Sequence, residues 1–129
     1  MAVLPRIVHV EDDPDIREIA QIALEVVGGL SIVQFSSGQE ALDGALAARP
    51  DMFLLDVMMP GMNGEETMRA LRAMPEFVST PVVFMTAKAQ QSDVRKFIAE
   101  GALDVIVKPF DPMELASHII SIWTAWRQT

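Results

Sequence analysis

The fold class this sequence predicts is open α/β, a parallel sheet with helices on both faces. Five short apolar runs alternate strictly with five helical patterns. The runs are almost continuously apolar, as in strands covered on both sides. At 129 residues the chain is long enough for one domain around one core.

The predicted strands cover residues 7–10, 30–35, 52–55, 82–85 and 105–107, all rich in β-branched or large apolar side chains. Between the first two, Ile16, Ile19, Ala20, Ala23 and Val27 recur at helical spacing and predict a buried stripe. Leu115, Ile119, Ile122 and Trp126 do the same at the other end. Asp13-Pro14 sets a capping side chain before a proline at the first helical position. Asp111-Pro112 repeats that device, and Glu114 completes a capping-box spacing. Ser37 with Glu40, and Asn63 with Glu66, share the spacing, while Gly28 and Gly101 suit left-handed helix ends.

Composition narrows the function. A net charge of −8 argues against binding a nucleic-acid backbone, which asks for a basic face. The chain has no cysteine, so disulfides and thiolate chemistry are out, in keeping with a cytoplasmic location. Proline and charge arrive too early for a signal peptide, and no apolar run reaches the ~18 residues of a membrane span. Met1 is expected to be a natural start, residues 1–129 to be one domain, and no output domain is expected beyond the fifth helix.

In open α/β sheets ligands bind beyond the carboxyl ends of the strands. Those ends carry Glu11-Asp12-Asp13 on the first strand, Asp56 on the third, Thr86 on the fourth and Lys108-Pro109 on the fifth. The second ends in Phe35-Ser36 and offers nothing evident. Three carboxylates crowded together repel unless a cation compensates, and Mg²⁺ takes such oxygen ligands. An aspartate carboxylate is anionic near neutral pH without a helper base and can attack phosphorus directly. A metal ion and Lys108 would offset the developing charge, and Thr86 could donate a hydrogen bond to the arriving oxygens.

The runs VEDDPDIRE, LLDVMMPGMNG, MTAK and GALDVIVKPF resemble, in order and spacing, the motifs of the receiver domains of two-component response regulators, the CheY-like superfamily. The resemblance covers nearly the whole chain. It implies a flavodoxin-like doubly wound sheet with strand order 2-1-3-4-5 and five helices. Asp56 then matches the phosphoacceptor, and Thr86 and Lys108 match the switch hydroxyl and the partner lysine. Glu11, Asp12, Asp56 and the backbone carbonyl of Met58 match the Mg²⁺ site, with Asp12 a direct ligand. A cis peptide is implied between Lys108 and Pro109. The implied function is a single-domain response regulator that accepts a phosphoryl group from a phosphohistidine donor and alters protein contacts.

A histidine kinase or a histidine phosphotransfer protein would be the donor. An effector would dock through helix four, strand five and helix five, with the protein a monomer or a phosphorylation-dependent dimer. A relay to a histidine phosphotransfer protein is the alternative. An aspartyl-phosphate hydrolase is a more distant one, which Val57-Met58 disfavours because a second carboxylate is missing there. No enzyme activity is expected beyond self-phosphorylation and slow dephosphorylation.

Three departures from the family pattern stand out. Val105 occupies the usual aromatic switch position and cannot swing a ring, so signalling is expected to use the backbone between strand four and helix four. Met58 and Lys88 flank the path of the hydrolytic water, and an apolar Met58 predicts slow dephosphorylation. On the last helix Ala116, Ile120 and Trp123 form a second apolar stripe, either a broad core contact or a docking face. His9 is read as a packed histidine, His118 carries no role, and Met58, Met59 and Met62 are read as loop packing, because hard cations do not select thioethers.

Overall fold

The computed structural model describes residues 3–129; Met1 lies outside them. The elements are β1 (Arg6–Val10), α1 (Pro14–Gln21), a π-helical continuation (Ile22–Val27), β2 (Ser31–Phe35) and α2 (Gly38–Ala48). There follow β3 (Met52–Asp56), α3 (Gly64–Arg72), a 3-10 turn (Pro75–Phe77) and β4 (Val82–Thr86), then α4 (Gln91–Ala99), β5 (Asp104–Val107) and α5 (Leu115–Arg127). All strand pairs are parallel and the order is β2-β1-β3-β4-β5, as expected.

Two apolar layers sandwich the sheet. Val8, Val10, Phe53, Leu55 and Phe84 face α2, α3 and α4 through Ala41, Ala45, Met68, Leu71 and Phe97. Ile7, Leu54, Val83 and Ile106 face the π-helical stretch and α5 through Leu24, Leu115 and Ile119. Every residue of β3 and β4 is buried, which is why these two strands read as unbroken apolar runs. Edge-on aromatic pairs, Phe53 with Phe77 and Phe84 with Phe97, lock the first layer at centroid separations of 5.1 and 5.2 Å.

The helix starts follow the sequence in part. Asp13 caps α1 by accepting from Asp15 and Ile16, and Asn63 with Glu66 forms a complete capping box on α3. Ser37 caps α2, but the Glu40 carboxylate turns to the backbone and hydroxyl of Ser36 instead of closing the box. Asp111 does not cap α5. Its side chain accepts from Met113 and its carbonyl from Glu114 and Leu115, so it closes a turn, and the helix begins at Leu115 with no side-chain cap.

The stripe expected on α1 is corrected by the π-helix. Ala20, Ala23 and Leu24 are buried, whereas Ile19 and Val27 are 45% and 43% exposed. The wider π turn shifts the phase of every residue after Gln21, which a 3.6-residue period cannot anticipate and which accounts for Val27. Ile19 precedes that turn and instead lines an open surface pocket with Ile16, Ala87 and Phe110. Gly28 keeps helical dihedrals, and Gly29 supplies the left-handed residue with φ +69°. Gly28 is needed for another reason: a Cβ there would lie 2.2 Å from the Ala116 Cβ of α5. Gly101 is left-handed as expected.

The second stripe on α5 is mostly core. Ala116 and Trp123 are buried and Ile120 half-buried. Trp123 donates its indole N–H to the Val3 carbonyl at 2.9 Å and stacks on Trp126, so a docking face built on Trp123 is not available.

Gly28→Ala is expected to destabilise the protein by about 2 kcal/mol in urea denaturation, because overpacking outweighs the gain in helix propensity. Equal or greater stability would mean that α5 yields at no cost.

Candidate functional site

Strand register assembles the site. Val10 pairs with Leu55, so Glu11 arrives level with Asp56. Asp56 pairs with Met85 and Thr86 with Val107, which brings Thr86 and Lys108 to the same carboxyl edge. The Lys108–Pro109 peptide is cis, as the resemblance implies.

Lys108 Nζ lies 2.6 Å from Glu11 Oε1 and 3.1 Å from Asp56 Oδ1. Both carboxylates are buried, so each depends on that single ammonium. Carboxylate oxygens of Glu11, Asp12 and Asp56 all lie within 4.8 Å of one another. A cavity of about 260 Å³ opens over them, lined also by Asp13, Met58 and Lys108. The donors are all hard carboxylate oxygens, a set that fits a small divalent cation.

Burial raises the Glu11 pKa to about 7, with the neighbouring Asp56 adding to the shift and Lys108 opposing it. Burial alone would lower the Lys108 pKa, but the two carboxylates hold it above its ordinary value. The cluster is therefore a place where added positive charge is favoured.

Of the expected site residues, Lys108 meets Glu11 and Asp56 directly, and the Asp12 carboxylate stands within 4.8 Å of both acids. Met58 lines the cavity with a largely exposed side chain, and its N–H donates to Asp56 Oδ1 at 3.4 Å. Thr86 stands at the same edge, but the cavity lining does not include it; its buried hydroxyl accepts from the Lys88 amide at 3.0 Å. Val105 is buried in the core with Phe84 and Phe97. Met59 is buried and joins that core, and Met62 packs beside Gly38, so loop packing describes both.

Two contributors escaped the sequence reading. Arg17 donates from one guanidinium nitrogen to the carbonyls of Glu11 (2.7 Å) and Asp12 (3.1 Å). Gln34 on β2 donates to the Arg17 carbonyl at 2.8 Å and meets His9 Nδ1 at 3.0 Å. A polar residue inside the apolar run 30–35 was the available signal. His9 is a packed histidine, as expected. Its pKa falls to about 3, chiefly through burial and then through the charges of Lys108 and Arg17.

A parallel sheet of this order with an acid cluster and a lysine at its carboxyl edge defines the receiver class. The chain matches the response regulator receiver domain family over residues 7–120, and it belongs to that family, whose place is two-component signalling. It is 40% identical over 114 residues to the DNA-binding response regulator MtrA of Mycolicibacterium smegmatis, covering 88% of this chain and 48% of that protein. It is 37% identical over 122 residues to the transcriptional regulatory protein CseB of Streptomyces coelicolor, covering 95% and 50%. The chain thus spans about half the length of the curated relatives it matches. The chemotaxis protein CheY4 of Vibrio cholerae superposes with a TM-score of 0.84 at 29% identity, covering 93% of this chain and 99% of that one. The receiver domain of a signal transduction histidine kinase from Syntrophus aciditrophicus gives 0.80 at 32%, covering 97% and 94%.

A histidine whose pKa is depressed on folding contributes stability that is full above its unfolded value of 6.5 and is lost as pH falls towards 3. Between pH 7 and pH 4 the wild type should therefore lose about 3 kcal/mol of stability relative to His9→Leu. Urea titrations at the two pH values measure it, and parallel losses in both proteins would contradict the neutral, buried assignment.

Proposed function

We propose that this chain is a phosphorylation switch in which Asp56 accepts a phosphoryl group from a phosphohistidine donor. The observation that carries the reading is Lys108 bridging Glu11 and Asp56, with Asp12 in reach, at the carboxyl edge of the sheet. In the transfer an Asp56 carboxylate oxygen attacks phosphorus, the P–N bond to the donor imidazole breaks, and that nitrogen keeps the electron pair. Lys108 moves its ammonium from a carboxylate oxygen to a phosphoryl oxygen. Thr86 turns its hydroxyl proton to another, while its oxygen keeps or releases the Lys88 amide.

Mg²⁺ is the cofactor this donor set suits; Asp12, Asp56 and the Met58 carbonyl would hold it, with Glu11 beside them. When bound it would neutralise charge on the transferred group. No catalytic activity is assigned to the protein beyond its own phosphorylation and slow hydrolysis.

The donor is a histidine kinase or a histidine phosphotransfer protein, and the same chemistry run backwards would serve a relay. The output is a change in protein contact. Exposed Ile98 on α4 and Val107 on β5 support the effector face expected around helix four and strand five. Acidic net charge speaks against direct nucleic-acid contact by this domain. The curated relatives are named as DNA-binding or transcriptional regulators, so a longer arrangement in which this domain controls such a partner is compatible with the same chemistry. No helix among the described residues is long and apolar enough to cross a membrane. A cytoplasmic setting is proposed because phosphohistidine donors of this class act there.

Acetyl phosphate with Mg²⁺ should add one phosphoryl group by mass spectrometry, and Asp56→Ala should add none. Labelling that persists in Asp56→Ala would remove Asp56 as the acceptor. Met58→Asn, which supplies a group able to orient water, should shorten the phosphoprotein's lifetime by up to about tenfold, the effect of one hydrogen bond worth about 1.4 kcal/mol to the transition state. Equal decay of the two proteins would show that the exposed methionine does not shield the site.

A further inference from the structure

Asp12 poses a structural question. Its carboxylate makes no hydrogen bond or ion pair among the described residues, unlike Glu11 and Asp56, which Lys108 holds. Its side chain must nevertheless stay beside two other acids, against their repulsion. Something in the backbone has to aim it.

The carbonyls of Glu11 and Asp12 belong to the two peptide planes that flank the Asp12 Cα. Arg17 Nη1 ties both, at 2.7 and 3.1 Å. Orienting those two planes fixes φ and ψ of Asp12, and so the direction of its Cα–Cβ bond. Arg17 sits on the second turn of α1 and is anchored in turn. The Gln34 side-chain nitrogen donates to the Arg17 carbonyl at 2.8 Å and reaches His9 Nδ1 at 3.0 Å. Gln34 and His9 are register partners on β2 and β1, and the His9 side chain is fully buried. The chain of contacts closes on itself: β1 to β2, β2 to α1, and α1 back to the loop that continues β1.

We infer that Arg17, anchored by Gln34 and His9, is a positioning residue that aims Asp12 into the cation site. This rests on reading the acidic cluster as a cation site, and it assigns Arg17 no contact with substrate or metal. The sign of its effect is distinctive. A guanidinium near a cation site repels the cation, so electrostatics alone predicts tighter cation binding when Arg17 is removed. Aiming predicts the reverse, because groups that orient metal ligands typically contribute about 10–100-fold to affinity.

The test is Mn²⁺ affinity, read from the electron paramagnetic resonance signal of the free ion, for wild type, Arg17→Ala, Arg17→Lys and Gln34→Leu. Arg17→Ala should weaken binding about tenfold or more despite losing a positive charge. Gln34→Leu, which leaves the guanidinium in place, should weaken it less, and Arg17→Lys should recover part of the loss. Thermal unfolding without metal separates a folded variant from a collapsed one; if Arg17→Ala does not fold, Gln34→Leu and Arg17→Lys carry the comparison. In the metal-free variants the amide resonances of Asp12 and Asp13 should shift while those of β3 and α5 stay put. Unchanged or tighter Mn²⁺ binding in the folded variants would overturn the inference, as would unmoved Asp12 and Asp13 amides. Failure of the wild type to take phosphate from acetyl phosphate would instead count against the phosphoacceptor reading, and the affinity order would still decide the role of Arg17.

Discussion

One ammonium group serves two buried carboxylates in this protein, and the rest of the structure arranges for them to meet. Lys108 reaches Glu11 at 2.6 Å and Asp56 at 3.1 Å from strands that are not neighbours of its own. Burying either acid alone would leave an unpaired charge in a low-dielectric setting, at a cost of several kcal/mol. The parallel sheet makes the arrangement possible, because parallel strands all present their carboxyl ends on one edge, and register then decides which residues stand level. Burial raises the pKa of Glu11 in spite of Lys108, and three clustered carboxylates face that one ammonium. The cluster is short of positive charge, which is the condition a cation-dependent site should be in before its cation arrives.

Much of this could be read in the sequence. Continuous apolarity identified β3 and β4 because both are buried along their whole length, and the acids and lysine beyond the strand ends followed from topology. Side-chain capping was legible where the motif is local, as at Asp13 and Asn63. It misled at Asp111, whose side chain serves a turn just ahead of the helix. The π-helical stretch was not legible, since apolar spacing carries no record of a widened turn. Gly28 was placed correctly as special but for the wrong reason: the constraint is an approach by α5, from 88 residues further along the chain.

The same limit hid the support of Asp12. Arg17 and Gln34 act through backbone carbonyls, and a carbonyl leaves no signature in the amino-acid alphabet. Only the polar interruption of the β2 run hinted at Gln34. The helix-five surface shows a related ambiguity. Ala116 and Trp123 look like a second amphipathic stripe, yet both are buried, because α5 packs into the layer shared with the π-helical stretch. Val105 is also buried, and the exposed segment after Thr86 is tied to the site through the Lys88 amide, which donates to the threonine hydroxyl.

The central claim is that Asp56 and its neighbours form a pre-arranged site for a phosphoryl group and a divalent cation. A crystal structure of the protein with Mg²⁺ and beryllofluoride, an acyl-phosphate mimic, tests it most directly. Beryllium should be bonded to an Asp56 oxygen, with the cation on Asp12 and Asp56, and Lys108 and Thr86 should each lie within hydrogen-bond distance of a fluorine. A mimic bound elsewhere, or an Asp56 still paired only with Lys108 at saturating ligand, would contradict it.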